Sequence, residues 1–186
     1  MNVIKNFVSV AILSCFLVGC GSSKAPLSAQ GEKEVLVPCS GVEFVSTPDF
    51  MRASDMAIST SLSLSKKKAL LSAKSKLASN IKSTIKKVAD DYYVSYQKEE
   101  MEDSKRRFED MTRTIVDQQL SNVRIICDKT TKADDGMYRS YVAVEMSLSE
   151  LMSKLNAKIS MDDKDDLDFN YDKFKELFEK RVATTK

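Results

Sequence analysis

At Ser63 the spacing of apolar residues changes, and that change limits the folds open to this chain. Upstream, Phe50 to Ser59 alternates loosely after the turn Thr47-Pro48-Asp49, which predicts a strand. Downstream, Leu70, Leu77, Ile81, Ile85 and Val88 recur every three or four residues, with Ala73 and Ala78 beside them. This predicts an amphipathic helix ending near Ala89. Asp90-Asp91 reads as a restart or bend. A second helix of some 30 residues follows, carrying Tyr93, Gln97, Met101, Ser104, Phe108, Met111, Ile115 and Gln119. Its inner face is partly polar in the first half, so the outer half is expected to project beyond the core.

The period then returns to two. Val123 to Thr131 predicts a second strand, and Ala133-Asp134-Asp135-Gly136 a hairpin turn, because Asp-Gly tolerates the positive φ angles such turns need. The third strand, Tyr138 to Met146, places Val142, Val144 and Met146 on one face and Tyr141, Ala143 and Glu145 on the other. Ser147 to Glu150 fits a capping box and opens a third helix with Leu148, Leu151, Met152, Leu155 and Ile159 on one stripe. An acidic linker begins at Asp162. A short amphipathic helix follows with Tyr171, Phe174, Leu177 and Phe178, a stripe that either folds back on the sheet or docks on a partner protein. The order β-α-α-β-β-α-α implies an α+β fold, a small antiparallel sheet of about three strands packed against helices in a two-layer sandwich.

The first twenty residues belong to a different kind of segment. Lys5 precedes an apolar run, Phe7 to Val18, that suits an export signal and is too short to span a bilayer. It closes on Leu17-Val18-Gly19-Cys20, which resembles the lipobox of bacterial lipoproteins. Small Gly19 suits the cleavage pocket, Leu17 an apolar subsite, and the Cys20 thiol is the group able to carry a diacylglycerol. The resemblance implies cleavage between Gly19 and Cys20 and a further acyl chain on the new amino terminus, and two or more chains make a stable anchor. Residues 1–19 are thus expected to be a signal peptide and 20–34 a flexible lipidated tether. Residues 35–161 form the α+β domain, and 162–186 the acidic linker and terminal helix. The tether lacks the acidic cluster after the cysteine that marks surface export in Bacteroidetes-type lipoproteins, and this favours a periplasm-facing protein over a surface-exposed one; the expected location is the cell envelope, anchored in the outer membrane.

Composition excludes several chemistries. The chain has no histidine, which removes Ser-His-Asp and Cys-His catalysis and His-ligated zinc. Five scattered glycines make no phosphate-binding loop. A net charge of +2 argues against nucleic acid as a partner, as does export. Counted from Asp163, a calcium loop would put Asp168 at position six and Phe174 at position twelve, where glycine and glutamate are required. No metal, cofactor or catalytic residue is therefore assigned. Carboxylates are plentiful, but nothing singles out two of them as a catalytic pair.

Three features remain. Cys39 and Cys127 form an even pair in an exported domain and invite a disulfide, with Cys39 in an extended run from Val35 and Cys127 in a strand. The first predicted helix carries eight lysines and no acid. Lys66, Lys67, Lys74, Lys82 and Lys86 make a candidate anion-binding face, set against a solvated surface balanced by the acidic second helix. Tyr92, Tyr93 and Tyr96 offer either a sugar or partner platform or the edge of a core.

Over roughly residues 33 to 160 the chain resembles small Bacteroidales lipoproteins of unknown function. The runs that carry this are Val35-Leu36-Val37-Pro38-Cys39-Ser40-Gly41, Phe50-Met51-Arg52-Ala53-Ser54, Ala69-Leu70 with Ala73, Gln118-Gln119-Leu120, and Ile125-Ile126-Cys127. In element order it is more distantly similar to the LPP-twenty-type lipoprotein domain and to envelope-assembly domains for flagella or curli. The resemblance implies a non-enzymatic binding or assembly module with an envelope protein partner, and brings no active site. The competing expectations are an envelope glycan-acting enzyme using paired carboxylates, or a carrier of a small apolar ligand.

Overall fold

The structure, a computed structural model, describes residues 35–94, 102–161 and 170–184. Strand β1 (Phe50–Ser59) leads into helix α1 (Leu62–Val94). Helix α2 (Glu102–Gln119), strands β2 (Arg124–Lys132) and β3 (Tyr138–Ser147), and helices α3 (Leu148–Met161) and α4 (Tyr171–Thr184) follow. The α+β class and the element order match the sequence reading. The signal segment, the tether, the acidic linker, and Tyr96, Gln97 and Met101 lie outside the described residues.

The sheet is antiparallel with order β1-β3-β2, so the last strand formed occupies the centre. Alternation then sorts the side chains. Met51 and Ala53 of β1 and Val142, Val144 and Met146 of β3 enter the core, joined by Leu77, Ile81, Ile85 and Val88 of α1. At one end of this layer Ser65 of α1, Ser140 of β3 and Thr130 of β2 form a hydroxyl cluster. Ser65 and Ser140 are hydrogen-bonded and fully buried, and Thr130 lies 3.0 Å from Ser140. Buried hydroxyls of this kind persist because they satisfy one another.

The exposed edge of β1 is blunted by side chains. The Ser46 hydroxyl accepts from the Arg52 amide at 2.9 Å, Lys76 donates to the Ser54 carbonyl at 3.1 Å, and the Asp55 carboxylate accepts from the Met56 amide at 2.8 Å. Groups that could template another strand are thereby occupied.

Two expectations about the helices need correction. The restart expected at Asp90-Asp91 does not occur, since α1 runs through both residues to Val94. Aspartate costs a helix only tenths of a kcal/mol, but two of them near a C-terminus oppose the helix dipole. The structure compensates by pairing Asp90 with Lys105 of α2 and Asp91 with Arg181 of α4. Helix α2 is correspondingly shorter than expected, 18 residues rather than some 30.

The half expected to project falls mostly on residues 95–101, outside the described residues; the described parts of α1 and α2 next to it are packed by α4. Asn170 caps α4, its side chain accepting from the Lys173 amide at 3.0 Å, and the Asn170 amide donates to the Tyr92 hydroxyl at 2.7 Å. Phe174 packs edge-on against Phe108 at 4.8 Å and Tyr92 at 6.2 Å between ring centroids. Phe174 and Phe178 are completely buried, and α4 folds back chiefly onto α1 rather than the sheet. Phe174→Ala should cost about 3–5 kcal/mol of stability, the range for emptying a buried phenylalanine site. Urea unfolding checks this, and a change under 1 kcal/mol would mean α4 is undocked in solution.

Candidate functional site

The sheet face turned away from α1 carries Arg52 on β1, Glu145 on β3 and Arg124 on β2, all in one register row. Arg52 Nε donates to Glu145 Oε2 at 2.8 Å and Arg124 Nε to Oε1 at 2.8 Å. One carboxylate thus ties all three strands. Both guanidinium groups also sit over the Phe50 ring, at 5.6 and 5.9 Å from its centroid. Burial of Glu145 raises its pKa, but the hydrogen bonds and charges of Arg52 and Arg124 outweigh burial and hold it below its ordinary value of 4.5.

Glu145 is only 2 % exposed although, among the described residues, none of the helices α1 to α4 covers this face. The cover is a strap, residues 36–46. Arg52 Nη1 donates to the Val45 carbonyl at 3.1 Å and the Glu43 carbonyl at 3.3 Å, and Ser46 binds the Arg52 backbone. Upstream, Cys39 is bonded to Cys127 with a sulfur separation of 2.12 Å and Cα atoms 5.7 Å apart. The Cys39 sulfur rests 3.5 Å from the Tyr141 carbonyl oxygen, and Ala143 beneath the strap is completely buried.

The route to this pairing differs from the sequence expectation. Val35 to Cys39 is not an extended run beside β2, because Cys39 sits in a turn with φ of 58°. A left-handed cysteine costs about 1–2 kcal/mol, so the turn persists only where other contacts impose it. Cys127 reaches the same face through a bulge. The register slips between Ile125, opposite Val144, and Cys127, opposite Ala143. Were Ile126 to continue the regular alternation instead of bulging, Cys127 would turn into the core. The bulge gave no signal in the sequence. Three of the runs singled out there, the one around Cys39, the one around Arg52 and the one ending at Cys127, meet on this face.

The opposite side of the molecule carries the lysines. Lys66 pairs with Asp128 at 3.1 Å, Lys82 with Asp117 at 2.6 Å, and Lys74 donates to the Leu120 carbonyl at 3.0 Å. Three of the five residues named for an anion-binding face therefore hold α1 to its neighbours. Lys67 and Lys86 are exposed and have no partner among the described residues. Between α1 and α2 runs an open groove of about 790 Å³. Leu71, Ala78, Ile85 and Leu120 give it an apolar lining, Ser75, Ser79 and Ser83 line its α1 side, and charges of both signs rim it (Lys86 and Arg113 with Glu109 and Asp117).

No protein-family model matches this chain, and no curated protein matches it. Its chemistry must be read from its own groups. Among the described residues no cluster of three or more metal-ligating side chains occurs, and no helix is long and apolar enough to cross a membrane. Asp55 is held below its ordinary pKa by the Ser72 hydroxyl at 2.6 Å, and Asp135 by the Met137 amide. Tyr92 and Tyr93 are buried rather than displayed as a platform. Burial pushes the Tyr93 phenol up to about 12, and its oxygen has no hydrogen-bond partner among the described residues.

Two outcomes follow. Replacing both Cys39 and Cys127 by serine should cost about 4–5 kcal/mol, the chain-entropy value for a loop of this length, given a sequence separation of 88. Denaturant midpoints with and without reductant check it. Because the folded pKa of Glu145 lies below its unfolded value, the stability it contributes is present above about pH 5 and is lost as the pH falls through the lower folded value. Glu145→Gln should lower stability by about 2–3 kcal/mol at neutral pH, less than for a fully enclosed pair, since the Arg124 side chain is 71 % exposed. The difference from wild type should shrink towards pH 3 and vanish below the folded pKa, as measured by urea unfolding across pH.

Proposed function

We propose that this chain is a lipid-anchored protein of the bacterial cell envelope whose folded part is a non-enzymatic binding or assembly module. The observation that carries the placement is the apolar run Phe7 to Val18 closing on Leu17-Val18-Gly19-Cys20. The Cys39–Cys127 bridge supports it, because disulfides persist in oxidising compartments and are rare in the cytosol. The outer membrane, on its periplasmic side, is the location proposed.

The non-enzymatic part draws support from three carboxylates whose pKa is displaced. A glycan-cleaving acid must stay protonated near neutral pH. Asp55, Asp135 and Glu145 all move the other way, and each is already engaged. The α1–α2 groove offers an apolar floor with a mixed-charge rim, a surface suited to a partner protein segment.

Mass spectrometry of the native protein tests the anchor. The expected amino-terminal peptide begins at Cys20 and carries the diacylglycerol and acyl masses, and Cys20→Ser should leave the protein in the soluble fraction. A peptide beginning upstream, or an unmodified Cys20, overturns the anchor. Crosslinking in intact cells tests the module. Leu71 is 66 % exposed on the groove, so Leu71→Asp should leave stability within about 0.5 kcal/mol and abolish capture of the partner. Equal capture by the variant removes the groove from the proposal, and no reproducible partner for wild type removes the module.

A further inference from the structure

The strap covers half of the outer sheet face and leaves the other half open. Under it, Ala143 and Glu145 are buried at 0 and 2 % exposure. Beyond the Cys39 staple, Met56 opposite Tyr141 and Ile58 opposite Arg139 stand 38 and 42 % exposed. Cys39 lies against the Tyr141 carbonyl and Ser46 against Arg52, so the strap enters from the open half. Its first residues, Leu36 and Val37, are themselves 89 and 47 % exposed. Lys129 and Arg139 occupy the same open rows. Arg139 is paired with Asp135, and the exposed Glu43 lies on the strap beyond Cys39.

We propose that this open half-face is the surface the domain lays on the bilayer, with Met56, Ile58 and Val37 entering the interfacial region and Lys129 meeting lipid phosphate. The proposal rests on the lipid anchor proposed above and adds an orientation and a second contact to it. The length of chain favours the bilayer as occupant. Fifteen positions separate Cys20 from Val35, and an unstructured chain of that length would span about 20–25 Å root-mean-square, which keeps a face at its point of entry within reach of the membrane. One weak apolar contact and a few cations hold poorly alone, but beside an acyl anchor they act at high effective concentration.

The test uses the full lipidated chain in vesicles of phosphatidylethanolamine and phosphatidylglycerol containing brominated lipid. A fluorophore is placed through Ile58→Cys in one preparation and through Lys87→Cys, on exposed α1, in another. Flotation in high salt reports the anchor independently. The expected result is flotation of both, with quenching at position 58 about threefold that at position 87. Both positions are exposed, so the substitutions spare the core. Flotation with equal quenching overturns the proposal while sparing the anchor. Failure to float overturns both. A position-58 label shielded from aqueous quencher but untouched by brominated lipid also overturns it, in favour of the tether or a second copy as occupant.

Discussion

A single carboxylate, that of Glu145, holds this small sheet together in a way its hydrophobic side does not. Core residues press β1 and β3 against α1, but β2 contributes few buried side chains and its exposed Ile125 shows how little of it the helices cover. Besides the backbone ladder and the Thr130–Ser140 hydroxyl contact, β2 is linked to the rest of the sheet by Arg124 to Glu145 and onward to Arg52. Ionised groups in such a place are favourable only when their lone pairs and protons are occupied. The strap contributes to that condition by accepting from Arg52 Nη1 at the Glu43 and Val45 carbonyls. Strap, triad and staple therefore depend on one another.

The two faces of the sheet are stabilised by different physics. One side is an ordinary apolar interior, extended by α4, whose Phe174 packs on Tyr92 of α1 and Phe108 of α2. The other is polar and covered by eleven residues with a single 3-10 turn, Val42–Phe44, which a disulfide and backbone hydrogen bonds must hold because too little apolar surface is available there.

Much of the first side was legible from spacing alone. The bounds of β1, the facing of Val142, Val144 and Met146, and the stripe of α3 follow from periodicity. The second side was only partly legible. Alternation puts Glu145 opposite Val144, yet nothing local says that Arg52 and Arg124 will share its row. That follows from the order β1-β3-β2, which is decided by long-range packing. The bulge at Ile126 and the left-handed turn at Cys39 leave no trace in a two-residue period. Asp90-Asp91 misled for a related reason, because the cations that offset them, Lys105 and Arg181, come from other elements.

The position of the sulfur bridge also decides how the body bears load. A pull on the chain ahead of Leu36 travels four residues and meets a covalent stop at Cys39. From there it passes through Cys127 into β2 and, by way of the hydrogen-bonded ladder, into β3. The stretch enclosed between the two cysteines, with β1, α1 and α2 inside it, lies off that path and stays slack. Traction from the amino-terminal side therefore cannot peel the strap's weaker ties from Ser40 to Ser46 in sequence, and the polar layer stays shut while the covalent stop takes the force.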